Sequence, residues 1–123
     1  MDKKALGRQG ELAARRYLAE EKGYRIRCCN YRSRIGEIDI IAEEKRTLIF
    51  VEVKTRTNRE YGQPCEAVER HKQHKIVATA AGYLSRYGLW GRPCRFDVIE
   101  VYLTAAGKVR LRHLPQAFLA ERR

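Results

Sequence analysis

No apolar run in this chain of 123 residues approaches the roughly 20 residues that a membrane span requires. Nor does Met1-Asp2-Lys3-Lys4 open a signal peptide, because polar helix-forming sequence follows it instead of an apolar core. These two absences predict a soluble, cytoplasmic protein with no membrane partner. Cysteine is scarce: Cys28, Cys29, Cys65 and Cys94 form no CxxC pair and stand at no zinc-ligand spacing from His71, His74 or His113. Reduced thiols used as small apolar groups fit that pattern, and in a strand adjacent Cys28 and Cys29 would point to opposite faces. Internal repeats and low-complexity segments are missing too, so the length predicts one domain, residues 1–123, large enough to bury a core without staples. Acidic charge is in short supply, with 15 Asp plus Glu against 26 Lys plus Arg, a net charge of +11. A basic surface suits a polyanion, most simply nucleic acid, although a merely soluble basic protein has the same balance. Residues 35–54 reverse the sign, carrying 5 acidic and 3 basic groups.

What is present reads as alternating helices and strands. Residues 2–21 predict a helix, with Leu6, Gly10, Ala13, Ala14, Tyr17 and Leu18 on one arc and Gly23 as its stop. Gly7 and Gly10 each cost up to about 1 kcal/mol of helix propensity relative to Ala, which points to close packing of this helix on a sheet. Residues 24–31 predict a partly exposed strand. Residues 36–41 and 48–54 predict a hairpin about a polar tip at 44–47, and residues 55–64 a loop. A second helix is expected over 67–87, with Val68, Ile76, Thr79, Ala80, Tyr83, Leu84 and Tyr87 inward and Gly88 ending it. A strand over 95–103, a turn at Ala106-Gly107 and a short strand over 109–114 follow, with Pro115 as terminator and a helical turn in the tail. The order is α-β-β-β-α-β-β. An antiparallel hairpin and a helical crossover between the third and fourth strands give a mixed sheet flanked by helices, an α/β fold.

The hairpin carries the chemistry. Both strands are apolar on both faces (Ile40, Ile41, Ile49, Phe50, Val51, Val53) and therefore read as central, where acids need partners. Alternation puts Glu37 and Asp39 on one face, and Glu52 and Lys54 on one face. Symmetric closure about the tip sets Asp39 opposite Glu52, at roughly 5 Å between Cβ atoms. Like charges so close call for a cation. Carboxylates from neighbouring strands can hold Mg²⁺, with water and a phosphate oxygen completing its shell. Lys54 can then orient the attacking water or stabilise charge in the transition state. Glu11 reaches the same place if the first helix packs on it, and Glu37, one pleat away, becomes a supporting residue. The plain alternative is a solvated sheet face with cross-strand Glu/Lys pairs.

Asp39 followed by Glu52-Val53-Lys54 resembles the PD-(D/E)xK signature of the restriction-endonuclease-like nuclease superfamily, with Ile38 where the signature's name has proline. The wider string resembles the YraN family of small bacterial proteins: Gly7-Arg8-Gln9-Gly10-Glu11-Leu12-Ala13-Ala14, Asn30-Tyr31-Arg32, Gly36-Glu37-Ile38-Asp39-Ile40-Ile41, Phe50-Val51-Glu52-Val53-Lys54-Thr55-Arg56 and Arg95-Phe96-Asp97-Val98. The architecture is also similar to that of archaeal Holliday-junction resolvases. The resemblance implies a restriction-endonuclease-like fold over nearly the whole chain, with Asp39, Glu52 and the Val53 backbone carbonyl as ligands to Mg²⁺ or Mn²⁺. It implies Lys54 as the catalytic lysine and Glu11 as the helix acid, with a place in the metal's shell. The implied activity is endonucleolytic hydrolysis of structured or branched DNA, in repair or recombination. A non-catalytic nucleic-acid-binding module keeping the fold is the alternative. Resolvases act as dimers, which admits a homodimer here, although nothing in the chain fixes one.

Several outlying residues have two readings. Lys72 either contacts phosphate, neutralises the acidic site, or is a surface lysine. Arg8, Arg15, Arg32, Arg34, Arg56 and Arg59 are candidates for a phosphate-binding rim or ordinary solvated arginines. Tyr31 and Tyr61 are candidate base-stacking residues, whereas Tyr17, Tyr83 and Tyr87 read as core. His71 and His74 lack a third ligand. Asp97 is either a hydrogen-bonded strand acid or a remote part of the acidic site.

Overall fold

The computed structural model describes residues 2–57, 68–104 and 106–120. Asp2 starts helix α1, Lys3–Arg16, by accepting the Ala5 N–H on its Oδ1 at 2.7 Å. The helical run ends where expected, but its last part, Tyr17–Glu21, widens into a π-helical turn. Gly23, at a φ of 71°, then reverses the chain. Strands β1 (Arg25–Arg32), β2 (Glu37–Glu44) and β3 (Thr47–Thr57) precede helix α2 (Arg70–Tyr87), and β4 (Cys94–Leu103) and β5 (Val109–Phe118) follow it. The five strands form one sheet in the order β1-β2-β3-β4-β5. Its β3–β4 pair is parallel and the other pairs are antiparallel. This is the α/β architecture and element order expected from the sequence.

The double-sided apolar pattern of β2 and β3 follows from a helix on each face. On one side Ile41, Leu48, Phe50, Phe96 and Val98 pack with Ile76, Ala80, Tyr83 and Leu84 of α2. On the other Ile40, Ala42, Ile49, Val51, Ile99 and Val101 pack with Ala14 of α1 and with Leu18. Each such Ile or Leu contributes roughly 1.5–3 kcal/mol by leaving water. Cys28 joins the first cluster while Cys29 pairs with Ile40 of the second, so the two thiols do take opposite faces. Cys28, Cys29 and Cys94 are free. Close helix–sheet packing is real at one of its two expected glycines. A Cβ on Gly10 would stand 1.9 Å from Thr55 Oγ1, whereas one on Gly7 would meet nothing within 4 Å.

Three boundaries differ from expectation. The loop expected from residue 55 starts later, because Thr55, Arg56 and Thr57 continue β3 in register with Val101, Tyr102 and Leu103; residues 58–67 lie outside the described residues. Helix α2 begins at Arg70, with Val68 buried just ahead of it, and Tyr87 is 49% exposed instead of inward. Strand β5 runs through Pro115 to Phe118 in place of a helical turn. Proline is tolerated there because β5 is an edge strand and the ladder bulges: the register passes from Val98↔Leu114 to Phe96↔Phe118, with Gln116 at a φ of 50°. Among the described residues no helix is long and apolar enough to cross a membrane.

Candidate active site

The β2–β3 ladder runs from Glu44↔Thr47 at the tip to Ile40↔Val51. Beyond that pair β2 stays with β1, through Tyr31↔Ile38 and Arg32↔Glu37, and β3 stays with β4. Asp39 stands where the two strands cease to pair. Its Oδ2 accepts the Val53 N–H at 2.7 Å, a side chain replacing a ladder bond. Alternation fails at the same point. Ile38 and Ile41 belong to the α2-side cluster, whereas Ile40 and Ala42 belong to the α1 side. Across the ladder Asn30 has a φ of 54°. The irregularity overturns the simple expectation of one face for Glu37, Asp39 and Glu52. Asp39 lines a cavity of about 170 Å³ on the α1 side with Arg8, Glu11, Leu12, Arg15 and Asn30. Glu52 instead meets α2, where Lys72 Nζ lies 2.6 Å from its Oε1. Exposed Glu37 pairs with Arg32 at 3.2 Å.

The two strand acids still feel each other. Burial, then the charge of Glu52 and further that of Glu11, push the Asp39 carboxyl up from 3.8 to about 7, against the lowering effect of the Val53 N–H and Lys72. A carboxylate this strained in its ionised form is a place where added positive charge is stabilising. Partial burial pulls the Lys72 ammonium down, but its hydrogen bond to Glu52 and the charges of Glu52, Asp39 and Glu37 outweigh that and hold it above its ordinary value. Lys72 therefore neutralises the acidic site, one of its three readings.

The donor set suits a hard cation: two carboxylates and a backbone segment at Val53 offer only oxygen. Glu11 comes from α1 to the rim of the Asp39 cavity. Among the described residues no group of three or more His, Cys, Asp and Glu side chains is gathered closely enough to hold an ion. Lys54, half-buried, is in register with Glu100 of β4.

The other candidates divide. Arg8 and Arg15 line the Asp39 cavity; Arg32, at the end of β1, and Arg34, in the turn that follows, are exposed and do not line it. Arg56 turns inward instead: its Nε is 3.3 Å from Oε2 of Glu100, which is 1% exposed and also held by Arg112 and Tyr102. Tyr31 packs edge-on against Tyr83 with ring centroids 5.1 Å apart, which removes it as a stacking platform. Tyr61 and Arg59 lie outside the described residues. Asp97 is fully buried and belongs to a separate network. It accepts from Arg95 Nε at 3.0 Å and the Gln116 N–H at 3.0 Å, and meets His113 Nε2 at 2.8 Å. His113 Nδ1 in turn is 2.9 Å from the Tyr17 hydroxyl. Burial raises the Asp97 carboxyl, but these hydrogen bonds prevail and hold it below the usual carboxylate value. Asp97 is thus the hydrogen-bonded strand acid of its two readings; its partners in this clasp, His113 and Gln116, and Tyr17 beyond them, escaped sequence patterning because they come from distant parts of the chain, up to 96 residues apart.

The Uncharacterised protein family UPF0102 matches residues 10–101, which include Glu11, Asp39, Glu52, Lys54 and Lys72. The UPF0102 protein of Symbiobacterium thermophilum is 48% identical over 115 residues, covering 94% of this chain and 97% of its own. That of Clostridioides difficile is 47% identical over 118 residues, covering 96% of this chain and all of its own length (100%).

Proposed function

The chain belongs to the UPF0102 family, and from that premise we propose that it is a divalent-metal-dependent endonuclease of restriction-endonuclease-like fold that hydrolyses phosphodiester bonds of structured or branched DNA. The observation that carries this reading is Asp39. Its carboxyl sits at the point where β2 and β3 part, bonded to the Val53 N–H, and is pushed up to about 7 by burial and by Glu52 and Glu11. Such an arrangement is costly without a cation and fits one, as expected of a site that works on a polyanion.

Asp39, Glu52 and the Val53 carbonyl would hold Mg²⁺ or Mn²⁺, with Glu11 contributing to its outer shell. When bound, the ion offsets negative charge on the phosphoryl oxygens and acidifies a bound water. Lys54 orients the attacking water and supports the charge that develops as the new P–O bond forms and the bond to the leaving oxygen breaks. Arg8 and Arg15, on the wall of the cavity that Asp39 lines, bind a phosphate. Arg32 and Arg34 extend that basic rim.

The test is a panel of duplex, flap, junction and single-stranded DNA, with structured RNA, incubated with and without Mg²⁺ or Mn²⁺. Metal-dependent cleavage is expected, abolished in Asp39→Ala, Glu52→Ala and Lys54→Ala. A wild type inert across the panel, or variants that cut as well as wild type, would refute the assignment. Salt-sensitive binding without metal-dependent cleavage would point to the non-catalytic binding module.

A further inference from the structure

The Lys72–Glu52 contact is lopsided. The Lys72 side chain is 55% exposed and that of Glu52 only 10%, yet their charged atoms are 2.6 Å apart. A four-carbon stem on the first turn of α2 can swing into water with little loss, whereas Glu52 is fixed in the sheet. The charges of Asp39 and Glu37 also act on Lys72, so the one ammonium faces the whole acidic group. A divalent ion ligated by Glu52 would lie about 2.1 Å from a carboxylate oxygen. At that distance it would crowd an ammonium already bonded to the same carboxylate, and the two positive charges would repel.

We propose that the Lys72 ammonium is a built-in counter-cation for Glu52 that a divalent metal ion displaces on binding, so that metal loading and release of the Lys72 side chain into solvent are one event. This rests on the reading of Asp39 and Glu52 as metal ligands. It adds that the metal-free site is held together by the chain's own cation, and that metal affinity is set partly by the competition. The released ammonium also becomes available, beside the site, for a substrate phosphate.

Two measurements on the full chain test this. In the first, wild type is pulsed with an amine-reactive ester with and without saturating Mn²⁺, and modification of Lys72 is read by peptide mass spectrometry against Lys45 of the hairpin tip. Labelling of Lys72 should rise about 3- to 10-fold with Mn²⁺ while that of Lys45 stays constant, the range expected for loss of one partly exposed charged hydrogen bond. Glu52→Gln should label at the fast rate with no metal. In the second, calorimetric titration should find Mn²⁺ bound about 3- to 10-fold more tightly by Lys72→Met than by wild type. Mn²⁺ binding that leaves Lys72 labelling unchanged or lower, with equal affinity in Lys72→Met, would overturn the exchange and leave the metal site standing. No Mn²⁺ binding by either protein at millimolar concentration would overturn the metal site and the exchange with it.

Discussion

Substituting alanine at Gly10 and at Gly7 gives two opposite outcomes from the same chemical change. In a helix interior Ala is favoured over Gly by up to about 1 kcal/mol. At Gly7 that gain is unopposed, since an added Cβ meets nothing within 4 Å. At Gly10 the Cβ would stand 1.9 Å from Thr55 Oγ1, 2.9 Å from Thr55 Cβ and 3.0 Å from Thr55 Cγ2. Rotating the threonine moves Oγ1 but leaves its Cβ in place, so α1 or β3 must shift. Overpacking of this kind costs about 1–3 kcal/mol, more than the propensity gain. The expected result is a melting temperature raised by a few degrees in Gly7→Ala and lowered by about 3–10 °C in Gly10→Ala. Thermal unfolding followed by circular dichroism at neutral pH, without metal, measures both. Thr55→Ala, which removes Oγ1 and Cγ2 but keeps the Cβ 2.9 Å away, should restore part of the loss in Gly10→Ala, as expected of residues in direct contact. Glu11 is the next residue on α1, so a shift of α1 should also lower the proposed cleavage in Gly10→Ala but not in Gly7→Ala. Equal stabilisation by both substitutions would refute the close approach of α1 to β3, and with it the delivery of Glu11.

Two further outcomes concern pH. Asp39 is raised from 3.8 to about 7 in the folded state. Below pH 4 it is protonated folded and unfolded alike. Between pH 4 and 7 the unfolded chain alone is ionised, so metal-free stability falls, and above 7 the penalty is complete. Asp39→Asn, whose amide oxygen can still accept the Val53 N–H, should therefore melt several degrees above wild type at pH 8 and nearly with it at pH 4. Equal differences at the two pH values would argue against a buried, repelled carboxylate. Asp97 has the opposite sign. Its depressed value stabilises the fold above the ordinary carboxylate range and is lost as pH falls through the folded value. Asp97→Ala leaves Arg95 and His113 without their carboxylate, should cost about 3–5 kcal/mol by urea unfolding, and should remove part of the acid-induced loss of stability. A cost under 1 kcal/mol would contradict its role as a clasp.

Much of this architecture is legible in local pattern. Runs such as 36–41 and 48–54, apolar on both faces, announced interior strands, and these became β2 and β3. The arc from Leu6 to Leu18 announced α1, and Gly88, at a φ of 64°, ended α2 as its position suggested. Other features depended on neighbours that no local window contains. Arg56 was a plausible surface arginine until β4 placed buried Glu100 beside it. Pro115 read as a terminator until the edge position and bulge of β5 made its missing N–H harmless. Tyr31 read as an exposed loop aromatic until α2 laid Tyr83 against it.

By itself the sequence determined the period of each element, the order α-β-β-β-α-β-β and the presence of opposed charges on a central hairpin, because backbone period and burial pattern are written in neighbouring residues. Only the tertiary structure decided how those charges are arranged. Strict alternation would set Glu37, Asp39 and Glu52 on one face. The parting of β2 and β3 beyond Ile40↔Val51 instead turns Asp39 toward α1 and Glu11, and leaves Glu52 to Lys72 of α2. That division arises because each inner strand keeps a different outer partner, β2 with β1 and β3 with β4, and side chains fill the gap that opens between them.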